Sequence, residues 1–182
     1  MRVAVVYESM FGNTRTIAEG IALGLSIHDL EVEVVEVGEA HPGLPDEVDL
    51  LVVGGPTHAL SLSRGETRAS AAEESEEPLV SAGLGLREWL DELPPGRGRR
   101  VATFDTHIDK PVPGSAAKAA RRRLRRRGFR PLVPAESFFV SDVTGPLLAG
   151  EVERARAWGT RLAASIGANG PRGKPDTTAA SA

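Results

Sequence analysis

Five short β-branched runs, each separated from the next by other sequence, much of it with helical periodicity, constrain this chain more than any other feature. "VAVVY" (3–7), "VEVVEV" (32–37), "DLLVVGG" (49–55), "RVATFD" (100–105) and "SFFV" (137–140) read as strands. Thr14, Ile17, Ala18, Ile21 and Leu25 form an apolar stripe at helical spacing, as do Leu86, Trp89, Leu90 and Leu93. Ala116, Ala120 and Leu124 form a third, and Val152, Ala155, Gly159, Leu162 and Ile166 a fourth. Strands that alternate with helices require crossover connections, and right-handed crossovers lay the strands parallel with helices on both faces of one sheet. The first, third and fourth runs are almost continuously apolar, as suits strands covered on both faces. Glu33 and Glu36 interrupt the second run, which places it nearer an edge. The expected fold class is α/β, a doubly wound five-stranded parallel sheet.

A chain of 182 residues, 41% hydrophobic and 26% charged, buries one substantial core and is too short for two. One domain over residues 1–167 is expected. Residues 57–82 carry Ser, Ala and Glu with little periodicity, so they read as a long, mobile loop insertion after the third strand. The tail 168–182, "ANGPRGKPDTTAASA", lacks apolar content and reads as disordered. With no cysteine, disulfides, thiolate metal ligands and a cysteine nucleophile are excluded. No histidine pair has zinc-site spacing, no metal site is expected, and His28 and His41, lying in connections, read as surface residues. No apolar stretch approaches the ~18 residues of a membrane span, and the first run is too short for a signal peptide. A soluble cytoplasmic protein without membrane contact is the expectation.

In an open parallel sheet, ligands bind beyond the carboxyl ends of the strands. Residues 8–14, 54–59 and 105–111 lie at such ends. The first passes from strand to helix through Ser9, Gly12, Asn13 and Thr14, small and hydroxyl residues that leave backbone N–H groups and the positive end of a helix dipole facing an anion. A tight turn capped by Asn13 is the plainer reading of the same residues. Neighbouring doubly wound families are excluded position by position: the third run ends in Gly54 where a response regulator carries an acid. A low-molecular-weight phosphatase needs a cysteine in this loop, "GNT" lacks the lysine of a nucleotide-hydrolysing phosphate loop, and G-x-G-x-x-G does not follow the first run.

"SMFGNT" resembles the phosphate loop of the flavodoxin family, and "GGPTH" (54–58) is similar to the Gly-Pro-Thr turn of flavodoxin-like proteins and quinone reductases. The resemblance implies a strand order 2-1-3-4-5 and an FMN cofactor. It implies that Ser9, Met10, Phe11, Gly12, Asn13 and Thr14 hold the phosphate, and that Gly54, Gly55, Pro56, Thr57 and His58 border the isoalloxazine ring. Asp105, Thr106 and His107 would form a third ring-contacting loop, where His107 can stabilise a reduced flavin or shuttle a proton. Phe11 departs from the family's usual hydroxyl residue. The tryptophan and tyrosine that stack on the ring in long-chain flavodoxins have no counterpart: Trp89 and Trp158 sit in helical stripes and Tyr7 ends the first strand, all three read as packing residues. Ring faces then fall to Met10, Phe11, His58 or His107, or stay partly open.

The resemblance implies an FMN protein of electron transfer, with an electron carrier favoured over a flavin-dependent oxidoreductase and no catalytic residue assigned. An FMN-dependent NAD(P)H:quinone-type reductase, or a flavin-free interaction module on the same fold, are the alternatives. "RRRLRRRGFR" (121–130) puts seven arginines in ten residues; it reads as a solvated helix face, or as a basic helix docking an acidic redox partner. Nucleic acid is the weakest partner for it, given a net charge of -3 and few interleaved aromatics.

Overall fold

A computed structural model describes residues 1–41, 43, 48–58, 60–73, 78–110 and 114–168. Ala59, Pro111, residues 74–77 and the tail 169–182, all named above, lie outside the described residues. The strands are β1 (Arg2–Tyr7), β2 (Glu31–Glu36), β3 (Val48–Pro56), β4 (Arg100–Ile108), β5 (Arg130–Pro131) and β6 (Glu136–Val140). The helices are α1 (Asn13–Leu25), α2 (Gly65–Glu73), α3 (Leu86–Glu92), α4 (Ala116–Arg126) and α5 (Glu151–Ala168).

All pairings within the sheet are parallel, in the order β2-β1-β3-β4, with both β5 and β6 against β4. This is the expected 2-1-3-4-5 order, with the fifth strand in two pieces. Arg130 and Pro131 pair with Arg100 and Val101, and pairing resumes only at Glu136 opposite Phe104. Pro131 and Pro134 lack the N–H a ladder requires, which accounts for the gap. β2 lies at one edge, where Glu31 and Arg2 form an exposed ion pair of 2.9 Å.

Two apolar layers sandwich the sheet. On one face Val3, Val5, Leu50, Val52 and Phe104 pack against Ile17, Ile21 and Leu25 of α1 and Trp158 and Leu162 of α5. Trp158, Phe104 and Phe138 meet edge-on with centroids 6.2–6.4 Å apart, so Trp158 is a core residue. On the other face Val6, Leu51, Val53 and Val101 meet Trp89 and Leu90 of α3 and Ala120 and Leu124 of α4. Trp89 is fully buried and donates its indole N–H to Ala40 O at 2.9 Å. Tyr7 joins the first layer, and burial raises its pKa, with Arg15 opposing.

The insertion differs from its sequence reading, because residues 65–73 form α2. "GETRASAAE" is rich in helix formers, but only Ala71 is buried, so it carries no apolar stripe for a periodicity reading to find. The end of the insertion is tied to the first loop: Ser81 N donates to Ser9 O at 2.8 Å, Val80 N to Met10 O at 3.0 Å, and Ser9 N to Ser81 Oγ at 2.9 Å. Ser81 Oγ in turn bonds Glu36 at the end of β2. Hence the segment after α2 sets the course of residues 9–10.

Candidate functional site

At the carboxyl ends of β1, β3, β4 and β6 lies an open cleft. Ser9, Met10, Phe11, Asn13 and Thr14 form one wall, Pro56, Thr57 and His58 a second, and Thr106, His107 and Ile108 a third. Val140 and Val143 close the fourth side. Ten of the fourteen residues expected at the site therefore face one space. Gly12, Gly54, Gly55 and Asp105 are not part of the lining, and Ile108, Val140 and Val143 were missed. Applying the strand-end rule to the fifth strand, as to the first, third and fourth, would have found the last two.

α1 begins at the cleft without protection. Gly12 precedes it at φ 85, a left-handed conformation that favours glycine. Gly12 offers no side-chain cap, and the first turn carries no acid. Arg15 N makes a long bond of 3.3 Å to Ser9 Oγ. Asn13 is not the cap: it opens the helix, and its Nδ2 donates to Thr144 O at 2.9 Å, which fastens the loop after β6 to this turn. Thr14 Oγ1 shares a buried 2.7 Å bond with Thr106 Oγ1, tying α1 to β4. Thus both expected phosphate hydroxyls, Ser9 and Thr14, are buried and already have a protein partner.

The second and third walls are braced from behind by Asp105. Its carboxylate is fully buried, and Oδ2 accepts from Thr57 Oγ1 at 2.9 Å, Ser115 Oγ at 2.6 Å and Ala117 N at 3.0 Å. Thr57 Oγ1 accepts from Ala116 N at 2.9 Å, so one carboxylate holds the turn after β3 and the start of α4 together. Asp105 Oδ1 is buried and has no hydrogen-bond partner among the described residues; His107 Nε2 lies 4.0 Å from it. His107 Nδ1 sits 2.8 Å from Ile108 O, and because a carbonyl only accepts, Nδ1 carries the hydrogen. The ring stands edge-on to Phe139, with centroids 5.1 Å apart.

The glycines of "GGPTH" have a packing reason rather than a ligand-facing one. A Cβ on Gly54 would stand 2.2 Å from the Phe104 ring, and one on Gly55 would press on Leu86 at 3.2 Å. Sequence reasoning also passed over Glu8, which ends β1 fully buried. It accepts from Ser63 Oγ and, at 2.8 Å, from Leu86 N at the start of α3. Burial raises its pKa above the ordinary carboxylate value, and the bonds from Ser63 and Leu86 and the charge of Arg68 oppose that rise.

The residues present suit a phosphate-bearing cofactor: the cleft is open, it is lined by apolar and hydroxyl groups, and the first N–H groups of a helix open into it.

A family model described as Flavodoxin matches residues 5–104. No curated protein sequence matches the chain. Among solved structures, a flavodoxin from the domain Archaea superposes with a TM-score of 0.63 at 17% identity, over 92% of this chain and 99% of that one. Oxidised Flavodoxin 2 from Bacillus cereus gives 0.61 at 20% identity, over 92% and 99%. The rubredoxin oxygen:oxidoreductase of Desulfovibrio gigas gives 0.62 at 15% identity, over 92% of this chain but 36% of that larger one. At these identities the structural likeness is one of fold.

Proposed function

This chain belongs to the flavodoxin family, and from that premise we propose that it binds FMN in the cleft and serves in electron transfer. The observation that carries the reading is the uncapped start of α1, opening among the loops of four parallel strands. The N–H groups of Asn13 and Thr14 would hold the phosphate, with Gly12 shaping the turn that presents them. Pro56, Thr57 and His58 would border the ring on one side, with Thr106 and His107 on another. FMN supplies the redox chemistry, taking up and releasing electrons singly or in pairs.

The protein's own part is to bind, orient and manage protons. Asp105 keeps Thr57 and α4 in register, so the two ring-bordering turns move as a unit. With its Nδ1 hydrogen given to Ile108 O, His107 takes a further proton only at Nε2, beside the unpartnered Asp105 Oδ1. Met10, Ile108, Val140 and Val143 give the cleft an apolar lining against which a ring could pack.

A carrier role ranks first. A reductase that admits a nicotinamide nucleotide or quinone ranks second, favoured by a lining without tryptophan or tyrosine: among the described residues, Phe11, His58 and His107 are its only ring-bearing side chains besides Pro56. Titration of the purified chain with FMN, followed by quenching of flavin fluorescence, tests binding. Saturable one-to-one quenching is the expected result, and none would leave the fold a flavin-free interaction module. Reductive titration of the loaded protein then separates the roles. Two resolved one-electron steps support a carrier, whereas single-step reduction with rapid NAD(P)H oxidation in the presence of a quinone supports the reductase.

A further inference from the structure

α4 carries far more positive charge than its packing uses. Its inner face is Ala116, Ala117, Ala120 and Leu124, all buried, while Lys118, Arg122, Arg125 and Arg126 are exposed at positions that share the opposite face. None of these four side chains has an ion-pair partner among the described residues, although the whole chain has a net charge of -3. Two arginines of the run have local work: Arg123 pairs with Asp91 of α3, and Arg127 donates to Leu93 O. The exposed four do not.

Cations from neighbouring segments widen the face. Arg87 is anchored by bonds to Ser63 O at 2.9 Å and Leu62 O at 2.7 Å. Its pKa is lowered by burial and then by the nearby charges of Arg123 and Arg64, with Glu88 and Asp91 opposing. Like charges are thus held close together beside α4. On the other flank, Lys118, Arg121 and Arg122 line a groove walled by Pro134 and Ala135, the residues of the break between β5 and β6. Such crowding disfavours the isolated chain and is relieved when anions arrive.

We propose that the exposed face of α4 docks an acidic segment of a partner protein. From Lys118 to Arg126 the face is about 12 Å long, given the rise per residue of a helix. On the α3 side it is bordered by Asp91, which pairs with Arg123. A cationic strip of this length, one helix wide, fits a short acidic helix or loop. A duplex would need a longer track of phosphate contacts than this face offers. The docking face stands whether or not the cleft holds FMN, because its residues lie outside the cleft lining.

The test uses the full chain and a fluorescently labelled 15-residue glutamate-rich peptide, with binding read by anisotropy. The peptide is expected to bind, to weaken by roughly tenfold or more between 50 and 200 mM salt, and to bind the Lys118→Gln/Arg122→Gln/Arg125→Gln/Arg126→Gln variant at least tenfold more weakly. Arg156→Gln/Arg161→Gln, which removes exposed cations of α5, is expected to change nothing. Should the fourfold variant lose its helical circular dichroism, Arg125→Gln/Arg126→Gln carries the test, with at least a threefold loss expected. The proposal is overturned by no peptide binding, or by equal affinity in the folded variants. Tighter binding of a 20-base-pair DNA duplex or of phosphatidylserine vesicles at the same salt overturns it as well.

Discussion

Two helices start at the same end of the sheet and treat their first N–H groups in opposite ways. α4 is closed by the protein itself: Ser115 Oγ accepts from Lys118 N at 3.1 Å, Asp105 Oδ2 from Ala117 N at 3.0 Å and Thr57 Oγ1 from Ala116 N at 2.9 Å. α1 has a glycine as its cap residue, no acid in its first turn, and a single long side-chain bond, 3.3 Å from Arg15 N to Ser9 Oγ, which leaves Asn13 N and Thr14 N facing outward. A helix start is costly to leave bare unless water or a ligand meets it. The contrast teaches that anion-binding capacity at this end depends on where the chain withholds its own acceptors. Asp105 stands at α4 where, at α1, an incoming phosphate would stand.

The largest effect is expected from putting a carboxylate at the open start. Gly12→Asp would place a negative charge beside the phosphate position proposed above, and at an effective dielectric near 20 one such pair at contact costs about 4 kcal/mol. FMN affinity should fall at least a hundredfold. Gly12→Asn tolerates the left-handed backbone without the charge, at about 1 kcal/mol of strain, so affinity should fall less than tenfold. Equal losses in the two variants, measured by fluorescence titration, would mean that conformation rather than charge governs this turn.

Opening the closed start should cost stability instead. Asp105→Ala leaves the Thr57 and Ser115 hydroxyls and Ala117 N without their acceptor, worth about 3 kcal/mol, or a fall in Tm of roughly 10 °C. An unchanged Tm in a calorimetric scan would show that α4 does not depend on this carboxylate.

A smaller effect is expected where the two regions are linked. Thr14→Val or Thr106→Val strands one hydroxyl of the buried pair and should cost about 1–2 kcal/mol each. The double variant, which removes both hydroxyls, should cost no more than either single one. Additive losses in a denaturant-based double-mutant cycle would refute a direct bond between them.

The smallest effect concerns α3, whose first N–H is met by Glu8. Because burial raises the folded-state pKa of this acid, the folded protein holds its proton more tightly than the unfolded chain. Its contribution to stability is therefore present below the unfolded carboxylate value and is lost as pH rises from there through the raised folded value. Glu8→Gln keeps an acceptor for Leu86 N and cannot ionise. At pH 7.5 it should be at least as stable as the parent, within about 1 kcal/mol, and the difference should shrink or reverse toward pH 4. A parent whose stability instead rises relative to the Glu8→Gln variant as pH increases would contradict burial as the dominant influence.

Much of this was legible in the sequence. The continuous apolar runs marked β1, β3 and β4 as inner strands because a strand covered on both faces cannot alternate, and Glu33 and Glu36 marked β2 as an edge. Trp89 and Trp158 sat in apolar stripes and proved to be core. α2 escaped because an exposed helix has no stripe, and β5 escaped because Arg130–Pro131 is too short to show a period. At the site, the strand-end rule collected most of the lining, but residue type did not separate a group facing the cleft from one bracing it. Asp105 and His107 are two residues apart on one strand; Asp105 is locked behind the wall and His107 lines it.

The sequence by itself determined the layered α/β architecture and the end of the sheet that carries the cleft, because hydrophobic period and chain order are local properties that burial reads directly. Only the tertiary structure decided which helix start stays open, which carboxylates are consumed inside, and that Ser81 and Thr144 brace the first loop from residues far along the chain. Those outcomes turn on hydrogen bonds between residues as far apart as 48 positions, from Thr57 to Asp105, and 131 positions, from Asn13 to Thr144, and no local pattern encodes which partner such a group will meet.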